Sequence, residues 1–356
     1  MRGKETKQSS MLCLMSPEER VPSGHPLRGI KKLADAALAE LSPVFDEMYS
    51  SSGRPSVPPE RLLKSMLLIA LYSVRSERQF CEQLDYNLLF RWFLDMDMLE
   101  ASFDATAFTH NRERLMEHEV ASRFFRAVVE QARRKQLMSA DHFSVDGTLI
   151  DAWASTKSFR PKDDDDDDNN GWSDFSGAKR SNDTHESKTD PESKLWRKGK
   201  GREAKLSYMG HALMENRNGL LVDFEVTEAS GTAERDAALS MVNQALPGAG
   251  RITLGADRGY DTKDFVAQCR EHDVTPHVAQ HQNAHRGSAI DARTTRHIGY
   301  QLSIGIRRRV ESIFGWLKTI GGLRRTRLRG RQRTRFAALM GAAAYNLMRI
   351  ARLDVA

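Results

Sequence analysis

The sequence predicts an α/β protein: an RNase H-like mixed-sheet domain preceded by an all-α N-terminal domain. Two observations predict it. Apolar residues recur at helical spacing from about Leu27 to Arg134, and after Gln136 strand-like and helix-like segments alternate. The 356 residues, 40% hydrophobic and 29% charged, suit about two domains at roughly 150 residues each. That composition is neither collagen-like nor wholly disordered.

The first 25 residues mix Ser, Pro, Gly and charge without periodicity and read as a flexible arm. Residues 26–136 follow as a helical block. Pro58 and Pro59 open a helix whose buried stripe is Leu62, Leu63, Met66, Leu67 and Ala70. Ser76 and Gln79 have capping-box spacing, with Phe80, Leu84 and Leu88 continuing one face. A helix from near Asp104 carries His110, Arg112 and Arg114 outward. This block is either a helix-turn-helix reader of DNA or a scaffold, and periodicity does not separate the two.

Residues 137–335 form the second domain. His142 to Ile150 predicts a strand, and a polar loop over about 160–205, disordered by composition, contains six aspartates from Asp163 to Asp168. Leu206 to Met214 and Leu220 to Thr227 alternate in hydrophobicity around Asn218-Gly219, a hairpin pattern. A helix (Ala233 to Leu246), a strand (Ile252 to Asp257), a helix from Asp261, a strand near Val274 to Ala279 and further helices complete the domain. A C-terminal helix is expected over 336–356. Three strands leading into crossover units match the sheet topology of ribonuclease H.

The longest strictly apolar run, Met66 to Tyr72, is seven residues, against about 20 for a membrane span. No secretory signal is visible behind the charged N-terminus. Cys13, Cys81 and Cys269 lie far apart and suit free thiols in a reducing cytoplasm. The net charge of +6 is uneven: residues 307–335 hold 11 Lys or Arg and one acid, Glu311. Lys194 to Lys205 holds six basic residues against Glu203. Two basic stripes, including Lys198 and Lys200 in one and Arg307, Arg308, Lys318, Arg324, Arg325 and Arg327 in the other, suggest a polyanion, most simply nucleic acid.

Asp146 has the opposite parity to Phe143 and Val145, and Asp257 ends a strand on the face opposite Ile252, Leu254 and Ala256. In a ribonuclease-H-like sheet those strands are neighbours, so the two acids converge. A strand-end Asp is also an ordinary turn residue. Ile306, Val310, Ile313 and Leu317 make an apolar helical stripe. On one continuous helix Tyr300, Arg307, Glu311 and Lys318 line the face beside it. Two Asp and one Glu are hard oxygen ligands suited to two Mg²⁺ ions in phosphodiester cleavage; a salt bridge from Glu311 to Arg307 or Arg308 fits the same spacing. Asp261 reads as a helix N-cap. His281 and His285 have metal-like spacing without a third ligand, and Trp316 is open either to a base or to a tertiary contact.

Four motifs in order resemble bacterial insertion-sequence transposases of the DDE type, insertion-sequence-5 group. They are Phe143-Ser-Val-Asp-Gly-Thr-Leu-Ile-Asp-Ala-Trp-Ala-Ser155, Ser181-Asn-Asp-Thr-His185, Thr253-Leu-Gly-Ala-Asp-Arg-Gly-Tyr-Asp261 and Arg307-Arg-Arg-Val-Glu-Ser-Ile-Phe-Gly-Trp-Leu-Lys318. The similarity extends back to Arg78-Gln-Phe-Cys-Glu-Gln-Leu84 and Phe90-Arg-Trp-Phe-Leu94. The resemblance implies catalytic, metal-holding Asp146, Asp257 and Glu311, with Mg²⁺ or Mn²⁺ as cofactor. It implies binding to the element's terminal inverted repeats, strand transfer into target double-stranded DNA, at least a homodimer when two ends are joined, and no membrane. The family's Tyr, three residues before the Arg, is here Ile304; Tyr300, one turn earlier, is the candidate substitute. The rival readings are a DNA-binding regulator without catalysis and a nuclease that hydrolyses without joining.

Overall fold

The computed structural model describes residues 16–50, 52–53, 55–162, 180–199, 201–246, 250–281 and 287–354. Eight helices come first: α1 (Pro17–Arg20), α2 (Leu27–Glu40), α3 (Ser42–Met48), α4 (Pro59–Leu71), α5 (Glu77–Tyr86), α6 (Leu88–Phe93), α7 (Thr106–Glu117) and α8 (Val120–Arg134). Prolines start α1, α3 and α4, where a missing N–H costs nothing. Part of the expected N-terminal arm is folded. Ser16 and Glu19 close a capping box on α1, and Glu18 accepts a 2.5 Å hydrogen bond from the Trp92 indole.

Three local expectations in this block are corrected. The face expected to run from Phe80 to Leu88 breaks at Asn87, whose side chain caps α6 by accepting from Phe90 N–H. The Gln79 side chain accepts from Arg75 N–H rather than from Ser76, so the box is displaced by one residue. Arg112 does not point outward: it is buried and paired with Glu77, while Arg114 stacks on Tyr49 at 4.7 Å and His110 is exposed.

The sheet follows as β1 (His142–Asp151), β2 (Phe159–Pro161), β3 (His185–Ser187), β4 (Lys194–Trp196), β5 (Lys205–Glu215) and β6 (Leu221–Glu228). Then come α9 (Ala233–Ala245), β7 (Ile252–Ala256), α10 (Lys263–Glu271), β8 (Val274–Val278), α11 (Ala292–Thr295), α12 (Ile298–Ile306), α13 (Arg309–Thr319) and α14 (Arg331–Leu353). β1 lies between β5, to which it is antiparallel, and β7, to which it is parallel; β8 extends the parallel side, and β6 and β4 both pair with β5. This is the expected RNase H-like mixed sheet.

Both faces are covered. Phe143, Val145 and Leu254 pack with Met241, Val242, Phe265 and Val266 of α9 and α10. On the other side Ile150, Tyr208, Ala212 and Phe224 join Val310, Ile313 and Leu317 of α13, much of α14 and the N-terminal helices in one continuous apolar core. α14 begins five residues before the expected 336 and packs against α2, α4, α8 and β6.

The expected disorder over 160–205 does not hold across that span, because buried polar pairs fold its second part. Asn182 bonds both N–H and C=O of Leu195, and Tyr208 donates to buried Asp190 at 2.6 Å. Asp163 to Asp168 lie outside the described residues. The expected hairpin is present, with Gly219 at φ +70°. Its turn is held by the buried Glu215 carboxylate, which accepts from the N–H groups of Ser139, Arg217, Asn218 and Leu220. No helix among the described residues is long and apolar enough to cross a membrane.

Candidate active site and nucleic-acid interface

The parallel ladder of β1 and β7 pairs Phe143 with Leu254 and Ser144 with Gly255. Asp146, midway along β1, and Asp257, just past the end of β7, each lie two residues beyond the last pair, so alternation puts both carboxylates on the same face of the sheet. Asp146 is half-buried and accepts from Gly147 N–H at 2.8 Å. Asp257 uses one oxygen to cap the turn that follows it, accepting from Gly259 N–H at 2.7 Å, so it is a turn residue and a site residue together.

That face is closed by the segment carrying Glu311. The single helix expected from Tyr300 to Lys318 is instead two, broken at Arg307-Arg308. The two pieces dock on different strands, α12 on β7 and β8, α13 on β1. The buried Ser303–His277 hydrogen bond, 2.7 Å, fixes the first piece, and the Val310, Ile313 and Leu317 stripe fixes the second. Glu311 therefore sits in the first turn of α13, exposed; among the described residues no ion pair joins it to Arg307 or Arg308. Arg307, at the break, is half-buried beside Gly255, and its Nε is buried without a partner among the described residues.

The acids sense one another. Burial, with the Asp257 and Glu311 charges, pushes Asp146 up to about 6 against the Gly147 hydrogen bond and the Arg307 charge. A fourth acid, Glu234 in the first turn of α9, is pushed up to about 7 by burial and then by Asp257 and Asp146. Tyr260 is fully buried with no partner for its hydroxyl among the described residues; burial and the charges of Glu234, Asp146 and Asp257 hold its ionisation well above the usual range. Sequence reasoning missed Glu234 and Tyr260. The available signal was Gly147 in mid-strand, since an isolated strand glycine marks a close approach.

An all-oxygen donor set with unpaired like charges and an orphaned buried hydroxyl fits a hard divalent cation. Among the described residues no three His, Cys, Asp or Glu side chains form a preformed cation-holding group, so the acids face a common region without closing on one point. The Tyr300 hydroxyl donates at 3.0 Å to the C=O of Val278, the β8 partner of Ala256, and its ring packs on His277. Asp261 is not the cap of α10, a role taken by Thr262. It is buried and accepts from the N–H groups of His281 and Ala289. His285 lies outside the described residues. Trp316 is a tertiary contact, edge-on to Tyr345 at 5.6 Å.

The two basic stripes meet. Lys318 is half-buried, and its ionisation is lowered by burial and by the neighbouring charges of Lys198 and Arg324, with Asp151 opposing. Arg308, Arg324, Arg327 and Lys198 are exposed. Arg325 spends its guanidinium on the carbonyls of Ala152 and Trp153 and lies over the Trp153 ring at 5.5 Å. Lys200 lies outside the described residues.

A family model described as a transposase DDE domain matches residues 138–347, and another described as a transposase domain of the DUF772 type matches residues 15–114. No curated protein matches the chain. Among solved structures, a piggyBac transposase synaptic complex with hairpin DNA aligns with a TM-score of 0.44 and 8% identity, covering 93% of this chain and 76% of that one. A Mos1 transposase paired-end complex with the left transposon end gives 0.21 and 11%, covering 85% and 80%. A mariner Mos1 paired-end complex with Mg gives 0.21 and 11%, covering 94% and 98%.

Proposed function

The chain belongs to the DDE transposase family and is a DNA transposase, and we propose that Asp146, Asp257 and Glu311 are its catalytic, metal-holding acids. The observation that carries this assignment is the matched placement of Asp146 in β1 and Asp257 just past parallel β7, each two residues beyond the last ladder pair, with the helix that bears Glu311 docked on β1. The sequence motifs support the insertion-sequence-5 group within the family.

DDE transposases use divalent metals. For this chain the cofactor proposed is Mg²⁺, with Mn²⁺ as substitute and two ions per site. Bound there, such ions supply an activated attacking oxygen and a neutralised leaving oxygen for in-line phosphoryl transfer. Asp146 projects from β1 and Asp257 from the turn that follows β7, each two residues past the last pair of the β1–β7 ladder. Glu311 arrives from α13 and is free of competing ion pairs among the described residues. Arg307, beside Asp146, offers positive charge to a phosphate. Lys198, Lys318 and Arg324 hold the DNA backbone nearby, with Arg308, Arg325, Arg327 and Lys200 as further basic positions.

The substrates proposed are the element's terminal inverted repeats, attacked first by water, and then target double-stranded DNA, attacked by the freed 3′-hydroxyl. Residues 26–136 form the DNA-binding region, 137–335 the catalytic domain and 336–356 a terminal helix. At least a homodimer joins two ends, in the bacterial cytoplasm at the nucleoid. The test uses purified protein, Mg²⁺ and labelled DNA carrying the flanking repeats, with Glu311→Gln beside wild type. Metal-dependent nicking by wild type alone is expected. Equal nicking by both overturns the Glu311 assignment. Binding without cleavage by both makes the protein a regulator, and cleavage without joining to a supercoiled plasmid makes it a nuclease.

A further inference from the structure

We infer that Glu234 is a fourth acid of the catalytic centre, reaching past Gly147 of β1 to help hold a divalent cation with Asp146 and Asp257. The inference rests on the metal-site reading above and adds a ligand from the opposite face of the sheet.

The argument begins with strand parity. Ser144 and Asp146 share the face that meets Arg307: a Cβ on Gly255 would stand 2.9 Å from Ser144 Oγ and 3.5 Å from Arg307 Cβ. Val145 and Gly147 share the other face, the one packed by α9. Glu234 belongs to α9, so on an ordinary strand it would be screened from Asp146. At Gly147 that screen is missing. A Cβ there would fall 2.7 Å from Glu234 Oε1 and 2.8 Å from its Cγ, so the glutamate occupies the volume that any other residue would fill.

A second glycine fixes the other end of the approach. A Cβ on Gly259 would lie 3.0 Å from Asp257 Oδ1 and 3.8 Å from Glu234 Oε2, so both oxygens border one small region. The start of α9 is tied to that same turn, because Arg235 donates to Gly259 C=O at 3.2 Å. A first-turn acid ordinarily complements the helix dipole from solvent, as the exposed Asp236 does. Glu234 is instead half-buried against two acids with no hydrogen-bond or ion-pair partner among the described residues. The fully buried Tyr260 hydroxyl, without a partner among the described residues, lies within the field of the same three acids. Like charges placed together with unspent polar atoms are a stable arrangement when a cation joins them.

The test measures Mn²⁺ uptake by the full chain, using the electron paramagnetic resonance signal of free Mn²⁺, in wild type, Glu234→Gln, Gly147→Ala and Asp146→Asn. Glu234→Gln removes the charge in an isosteric frame. Gly147→Ala keeps every carboxylate and displaces only the Glu234 side chain. Both are expected to weaken Mn²⁺ binding by about 10-fold or more and to shrink the Mn²⁺-induced rise in Tm. Without metal, Glu234→Gln is expected to melt no lower than wild type, since it relieves a repulsion; if it does melt lower, Gly147→Ala decides. Wild-type affinity in both, with affinity lost in Asp146→Asn, overturns the role of Glu234 and leaves the metal site standing. Equal uptake by wild type and Asp146→Asn overturns the metal site and this inference with it.

Discussion

Gly255 of β7 lies directly opposite Ser144 of β1, and a Cβ on it would enter a 2.9 Å contact with the Ser144 hydroxyl and a 3.5 Å contact with Arg307 Cβ. The glycine is what lets the α12–α13 junction sit close over the paired strands. Ser144 cannot yield, because it is buried and donates to Asn216 at 2.8 Å. Gly255→Val is therefore expected to lose about 2 kcal/mol of stability and to abolish end cleavage, while DNA binding through Lys198 and Arg324 persists. Urea unfolding, gel shift and nicking assays on one preparation check all three; wild-type cleavage in the variant would contradict the role given to this contact.

Glu215 gives a stability prediction remote from the chemistry. Its carboxylate, fully buried, satisfies four backbone N–H groups around the β5–β6 turn. Glu215→Ala leaves all four donors without that acceptor and should cost about 3 kcal/mol or more. The midpoint of urea unfolding should fall with its slope unchanged. A loss under about 1 kcal/mol would mean that water replaces the carboxylate in a turn that is less closed than it looks.

Lys198 lies 120 residues before Lys318 and 126 before Arg324 in the chain, yet the three share one patch. If each neutralises one phosphate, replacing any of them with Gln should lower the slope of log affinity against log salt by about one. Binding should weaken evenly across DNA sequences, since phosphate contacts carry no sequence information. A substitution that changes preference for the terminal repeats without moving the salt slope would place that residue at a base edge instead.

What was legible in the sequence follows from how local the causes are. Strand alternation placed Asp146 and Asp257 on polar parity, and the element order was enough to make their strands neighbours. The apolar stripe through Val310, Ile313 and Leu317 put Glu311 on the docked helix. The break at Arg307-Arg308 was not legible, because it arises from two helices docking on different strands, a long-range competition that periodicity does not record. Arg112 looked like a surface arginine until its partner Glu77, on another helix, came beside it. Asp261 had a cap's position, but its two acceptor bonds go to His281 and Ala289, residues that follow β8 and lie 20 or more positions on. Glu234 lies 88 residues after Asp146 and on the other sheet face; only Gly147 hinted at it.

Two buried histidines, His211 and His277, set an acid limit on the fold. Burial lowers both His211 and His277 to about 4, the nearby His142 and His297 charges adding to the effect on His277. Unfolded, each titrates near 6.5, so between those values the unfolded chain binds the extra proton. Stability is thus fully present above about pH 6.5 and falls as pH drops toward 4. Asp146 and Asp223, raised to about 6 by burial first of all, work in the opposite direction over an overlapping range, so the wild-type curve alone does not isolate the histidines. The comparison with His277→Gln does, since the carboxylates are common to both. From pH 7 to pH 5 wild type should lose about 2 kcal/mol more than the variant, even if the variant starts lower for want of the 2.7 Å His277–Ser303 hydrogen bond. Urea unfolding at the two pH values checks this, and parallel losses would show that His277 accepts its proton without opening the α12–β8 contact.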